Sequence, residues 1–249
     1  MFSSSNLQPN GIRAILFDLD DTLRFSRPAS PQAFFDFAVK MGAADSPEKR
    51  RKALRWMYSY WAQSPELIAD TQALSSQEDA FWVNYSRRYL VAFDCAPQWA
   101  RELAPELHRY MQEQFRPVEW VPPEIPLTLQ RLDEAGFILG VLSNRDKPCQ
   151  ETLSQLGLLP YFDLALVAGE LECWKPDPAI FHKAVDRLGF RPEQSMYVGD
   201  NYFADIVGAR QAGLHPVLLD PQGIFPDADC PVIQSMAELP SVLTAHSYS

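Results

Sequence analysis

The 249-residue sequence predicts an α/β fold on a parallel sheet, with a helical domain inserted after the first strand. Three observations carry that prediction. Short apolar runs alternate with helix-patterned segments from Glu119 onward, and such alternation implies parallel strands joined by right-handed crossovers. The stretch from about Pro31 to Phe115 has a different texture, with apolar residues at helical spacing. Polar and charged side chains stand directly after the apolar runs, at the strand ends where α/β folds place their chemistry.

The first strand is the apolar run Ile12 to Phe17, followed by Asp18-Leu19-Asp20-Asp21-Thr22-Leu23. Four helical segments come next, Gln32–Gly42, Pro47–Ala62, Ser76–Phe93 and Gln98–Phe115. Phe34, Phe37, Ala38 and Met41 mark one apolar face, Pro or Ser stands near several starts, and the segments together predict a small bundle. The Pro- and Glu-containing link Arg116 to Pro126 predicts the return to the core. Helix Glu124–Ala135 then precedes strand Phe137–Leu142, helix Pro148–Leu156 precedes Leu164–Val167, helix Pro178–Leu188 precedes Ser195–Val198, and helix Tyr202–Ala212 precedes Pro216–Leu219. The tail from Pro221 is rich in Pro and Asp, with a last short helix predicted near Met236 to Thr244.

A chain of this length holds one large α/β domain or a core with a smaller insertion, and 47% hydrophobic residues can fill it. The formal net charge of -10 argues against a nucleic-acid-binding surface, which is normally basic. Met1 to Asn10 is polar and lacks the apolar centre of a secretory signal. No segment approaches the roughly 20 apolar residues of a membrane span. Cys95, Cys149, Cys173 and Cys230 match no metal spacing and predict free thiols in a reducing cytoplasm. His108, His182, His215 and His246 show no metal spacing either.

Asp18 and Asp20, two residues apart on an extended chain, would project from one side and reach one cation and one reacting group. By itself that pattern also suits a surface turn. Three further segments favour chemistry. Val141-Leu142-Ser143-Asn144 ends an apolar run on a hydroxyl that can donate to a phosphate oxygen. Lys175-Pro176-Asp177-Pro178 follows a third run, and Tyr197-Val198-Gly199-Asp200-Asn201 ends a fourth, with Asp205 five residues beyond Asp200. A carboxylate pair, a hydroxyl, a lysine and a second acidic pair meet the needs of magnesium-assisted phosphoryl transfer. An acidic chain binding an anionic phosphate needs a local cation, which Mg2+ and Lys175 would supply.

These four segments, in this order, resemble the motifs of the haloacid dehalogenase-like (HAD) hydrolase superfamily, and in particular its phosphatases with a helical cap inserted after the first motif. The resemblance spans about Ile12 to Leu219 and continues through Gly208-Ala209-Arg210-Gln211-Ala212-Gly213. It implies a doubly wound, Rossmann-like parallel-sheet core in residues 1–23 and 117–249 and an α-helical cap in 24–116. It also implies that the first strand is central, between the second and fourth, which gathers Asp18, Ser143 and Asp200. Asp18 would be the nucleophile and Asp20 the general acid and base. Asp18 must stay ionised, which a nearby Mg2+ and ammonium favour. Lys175 would neutralise the phosphate, with Thr22, Ser143 and Asn144 binding it. Asp18, the backbone carbonyl of Asp20, and Asp200 would hold Mg2+, with Asp205 in support.

The implied activity is Mg2+-dependent hydrolysis of a small-molecule phosphate ester through an aspartyl-phosphate, by a monomer or homodimer with no nucleic-acid or membrane partner. A phosphomutase on the same fold and a non-catalytic phospho-ligand-binding or scaffold protein are the alternatives. A dehalogenase or phosphonate hydrolase is disfavoured because Asp20 is retained. Arg24 and Arg145 can be read as substrate contacts or as solvated loop residues. Trp174 and Tyr202 predict packing, and Asp177 predicts a helix cap. Trp56, Tyr58, Tyr60, Trp61, Phe81, Trp82 and Tyr85, at helical spacing, predict core packing rather than a substrate surface.

Overall fold

In the computed structural model, which describes residues 11–74 and 76–245, the chain opens on β1 (Ala14–Phe17), four successive buried apolar residues. The polar opening Met1 to Asn10 and His246 lie outside the described residues. Strand β2 (Phe25–Arg27) leads into α1 (Ser30–Lys40), α2 (Pro47–Trp61), α3 (Pro65–Leu74), α4 (Glu78–Ala92) and α5 (Pro97–Glu113), and β3 (Val118–Trp120) follows them. The chain then alternates through α6 (Glu124–Glu134), β4 (Ile138–Ser143), α7 (Gln150–Gln155), β5 (Leu164–Val167), α8 (Ala168–Leu171), α9 (Pro178–Leu188) and β6 (Ser195–Gly199). It ends with α10 (Val207–Gln211), β7 (His215–Leu219), β8 (Val232–Ile233) and α11 (Leu239–Ala245).

Six strands form a sheet in the order β5-β4-β1-β6-β7-β8, every pairing parallel. β1 is flanked by β4 and β6, with Phe17 opposite both Val141 and Val198, so the carboxyl ends of three strands lie side by side. Period-two alternation sends successive residues to opposite faces. Ile15, Phe17, Leu139, Val141, Met196 and Val198 pack with Ile125 and Leu129 of α6 and Leu239 of α11. Leu16, Leu142 and Tyr197 pack on the other face with Ile180, Phe181 and Ala184 of α9. Helices cover both faces, so the sheet is doubly wound.

Among the described residues the chain forms two compact units, 11–25 with 121–245, and 26–120. These limits fall a few residues beyond the 23/24 and 116/117 boundaries expected from sequence. β2 and β3 pair as a two-stranded ribbon, and the Arg27 guanidinium lies over the Trp120 ring, 3.2 Å from its centroid. That stacking holds the two connecting segments together as part of the helical unit.

The helical unit has a helix that the periodicity does not predict. α3 buries only Leu67 and Asp70, too little for an apolar stripe. Its anchor is polar instead. The Asp70 carboxylate accepts from the Tyr60 hydroxyl at 3.0 Å and from Arg88 Nη2 at 2.9 Å. Around it Trp56, Tyr60, Trp61, Phe81, Trp82 and Tyr85 form a connected chain of ring contacts, so these aromatics pack against one another. Asp70→Ala strips both the phenol and the guanidinium of a buried acceptor. It is expected to cost about 1–3 kcal/mol, read as a lower unfolding midpoint in urea.

The predicted helix Tyr202–Ala212 is divided into a wide π-type turn over Tyr202–Ile206 and then α10. The Asn201 side-chain oxygen accepts from the N–H of Phe203 and Ala204, which starts the turn on a side chain. β2, β3, β8 and α8 are two to four residues long, too short for a periodic signal. Among the described residues, no helix is long and apolar enough to cross a membrane.

Candidate active site

The Asp18 N–H still bonds to the Val198 carbonyl, at 2.9 Å, as the last rung of the ladder beside β1. The chain then turns. The Leu19 carbonyl accepts from the N–H of both Leu23 and Arg24 at 3.0 Å, and Asp21 takes a φ of +57°. Leu19 and Leu23, both fully buried, anchor the turn. The turn occupies residues 21–23, beyond the Asp18 and Asp20 pair, and the two carboxylates stand in different surroundings. Asp18 is 7% exposed, whereas the Asp20 side chain is 43% exposed. Thr22, one turn on, is buried and donates from Oγ1 to Asp200 Oδ1 at 3.2 Å.

Lys175 reaches this site from the loop before α9, whose start is fixed by Pro178 and by the Asp177 side chain accepting from the Ala179 N–H at 2.9 Å. Only 2% exposed, Lys175 must satisfy all three ammonium protons within the protein. Nζ donates to Asp18 Oδ1 at 2.6 Å, to Asp205 Oδ1 at 2.6 Å and to the Tyr197 hydroxyl at 2.8 Å. Ser143, at the end of β4, is buried beside Asn144. Asn144 was expected to bind phosphate. Its amide makes reciprocal bonds with the Lys175 backbone, Nδ2 to the carbonyl at 3.0 Å and Oδ1 from the N–H at 2.7 Å.

Asp205 is buried, and its Oδ2 accepts the Asn201 N–H at 2.9 Å. A Cβ on Gly199 would stand 2.3 Å from that same Oδ2, so the residue before Asp200 must be glycine for Asp205 to fold back onto Lys175. Asp18, Asp200 and Asp205 each offer one carboxylate oxygen, and the three oxygens lie within 4.8 Å of one another. Three carboxylates and one ammonium leave a net charge of -2, and the donors are all hard oxygens. That set fits a divalent cation.

Burial pushes the Asp18 carboxyl up to about 7; Lys175 opposes this, and the carboxylates of Asp205 and Asp20 add to it. The ammonium alone thus does not keep Asp18 in the usual carboxylate range, because burial outweighs its attraction. Lys175 itself is held well above the usual lysine range, its two carboxylate partners outweighing its burial. Asp20 is gripped separately. Arg145 donates to it from Nε at 2.7 Å and Nη2 at 2.8 Å, and Arg24 Nη1 lies 3.1 Å away. Both arginines whose role the sequence left open therefore meet Asp20.

Trp174 packs on the α9 side of the core, and Tyr202 stacks on Phe225 with ring centroids 5.4 Å apart. Tyr197 went unremarked as a site residue in the sequence. Its signal was a phenol inside a fully buried strand, where the hydroxyl must find a partner.

Fold and strand-end carboxylates together define a doubly wound α/β protein with an acidic site at the carboxyl ends of its central strands. The family model of the haloacid dehalogenase-like hydrolases matches residues 12–213, and the chain belongs to that family, in its phosphatase branch. It is 30% identical over 237 residues to the phosphoserine phosphatase of Thermus thermophilus, covering 87% of this chain and 91% of that protein. It is 32% identical over 210 residues to the glyceraldehyde 3-phosphate phosphatase of Methanopyrus kandleri, covering 82% of each. Among solved structures it is similar to a 2-haloacid dehalogenase from Pseudomonas syringae, with 28% identity, a TM-score of 0.54, and coverage of 94% of this chain and 98% of that one.

Proposed function

We propose that this phosphoric monoester hydrolase is a Mg2+-dependent phosphatase of a small phosphorylated metabolite, working in the cytoplasm through an aspartyl-phosphate. One observation carries the reading: a buried lysine joins Asp18 to Asp205 at the carboxyl ends of the central strands, beside Asp200. Mg2+ would be held by Asp18, the Asp20 backbone carbonyl and Asp200, with Asp205 in support, and would supply positive charge against the transferring oxygens.

The chain's own groups do the rest. An Asp18 oxygen attacks phosphorus while the bond to the ester oxygen breaks, and that oxygen takes its proton from Asp20. Water then attacks the phosphorus of the aspartyl-phosphate while the bond to the Asp18 oxygen breaks, Asp20 accepts the water's proton, and inorganic phosphate leaves with the Asp18 carboxylate restored. Ser143 donates to the phosphoryl oxygens, Thr22 joins it on turning its hydroxyl away from Asp200, and Lys175 neutralises the charge that builds there. The retained Asp20 supports phosphatase over dehalogenase chemistry, which needs no acid for its leaving halide.

Phosphate release from a panel of esters, beginning with phosphoserine, glyceraldehyde 3-phosphate, phosphoglycolate and sugar phosphates, tests the reading. Release with Mg2+ that stops in EDTA is expected. Release undiminished by EDTA would sink the metal dependence, and a folded, Mg2+-binding protein inert on the whole panel would sink the phosphatase. The raised Asp18 carboxyl adds a pH dependence. A proton on Asp18 competes with the metal below about pH 7, so Mg2+ affinity is expected to fall toward tenfold per pH unit there. Calorimetric titrations at pH 6 and pH 8 check it, and equal affinities would contradict it.

A further inference from the structure

Two of the three Lys175 ammonium protons go to carboxylates, and the third goes to a neutral phenol that needs explaining. Tyr197 is fully buried in the middle of β6, its ring edge-on to Phe181 at 5.0 Å. Phenylalanine would fill that space equally well, and a buried hydroxyl costs free energy unless it is hydrogen-bonded. Here the hydroxyl makes two bonds with opposite polarity. It accepts from Lys175 Nζ at 2.8 Å and donates to the Leu142 carbonyl at 2.7 Å.

Leu142 immediately precedes Ser143. Asn144, which holds the Lys175 backbone through two bonds, immediately follows it. Lys175 is thus fastened at its ammonium and at its backbone to the two residues that flank Ser143. We infer that Tyr197 is a positioning residue for Lys175, tying its ammonium to the end of β4 so that Lys175 and Ser143 hold a fixed separation. The inference rests on the phosphatase reading above. Without the hydroxyl, the ammonium keeps its charge and its carboxylate partners but loses the contact that fixes its distance from Ser143. Misplacement of a charged group by about 1 Å can cost a hundredfold in rate.

Tyr197→Phe keeps the ring and removes only the hydroxyl. With the best ester of the panel and saturating Mg2+, well below the unfolding midpoint, kcat is expected to fall about tenfold or more while KM changes far less, because placement matters most as charge builds in the transition state. A structural role alone would lower the unfolding midpoint and leave kcat per folded molecule intact, and that outcome overturns the inference. The second variant Asn144→Ala loosens the other end of Lys175. Its loss is expected to be non-additive with that of Tyr197→Phe, whereas strict additivity would show that the two do not act on one group. Should Tyr197→Phe not fold, Tyr197→Met, whose flexible side chain refills the space, carries the same kinetic expectation. Asp18→Asn is the control: retained release there overturns the aspartyl-phosphate mechanism on which the inference rests, whereas an inert Asp18→Asn beside an unimpaired Tyr197→Phe overturns the positioning role alone.

Discussion

Asp18→Asn is expected to reduce phosphate release by about 10⁴-fold or more, the scale on which removal of a covalent nucleophile acts. The amide is nearly isosteric and can still accept from Lys175 through its oxygen, at the position where Asp18 Oδ1 now lies 2.6 Å from Nζ. It cannot attack phosphorus. The fold is expected to survive, because the variant removes a negative charge from a buried cluster that holds three carboxylates against one ammonium. Phosphate release and thermal unfolding, measured on the same preparation, separate the two effects. A variant within tenfold of wild type would mean that Asp18 is not the nucleophile.

Lys175→Met is expected to damage both stability and turnover. Lys175 is buried, so its bonds to Asp18 and Asp205 are not screened by solvent, and its removal leaves two carboxylates within the protein without their cation. Breaking a buried ion pair from one side costs about 3–5 kcal/mol. For a chain of this size that corresponds to a midpoint lower by about 6–20 °C. Added Mg2+ is expected to restore part of the loss, since a divalent cation neutralises the same carboxylates. Turnover is expected to fall by about 10²–10³-fold even at temperatures where the variant is folded. Differential scanning calorimetry with EDTA and with Mg2+ reads the first effect. An unchanged midpoint in EDTA would show that the carboxylates do not depend on Lys175 for their charge balance.

Strands β1 and β4 were legible because each is a short, largely buried apolar run closed by a polar residue, as at Phe17-Asp18 and Leu142-Ser143. Helix α9 was legible from its start, where Asp177 and Pro178 open it. α3 was not, because the group that holds it is Asp70, and nothing local announces that Tyr60 and Arg88 will converge on one carboxylate. The same limit applies to the π-type turn after Asn201, where a wide start replaces the expected regular helix.

The candidate site divides along the same line. Composition and local order determined which side chains stand at strand ends, since the residue after a buried run must leave the sheet. The order of strands decided that Asp18, Ser143 and Asp200 end side by side. Only the tertiary structure decided how charge is shared among them. Whether Lys175 serves one carboxylate or two, whether Asn144 holds the Lys175 backbone, and whether Asp20 is gripped by Arg145 depend on contacts across 31 to 157 residues of chain. Chain order specifies which groups are available. Desolvation and hydrogen-bond geometry, which exist only once the chain has folded, specify what those groups can do.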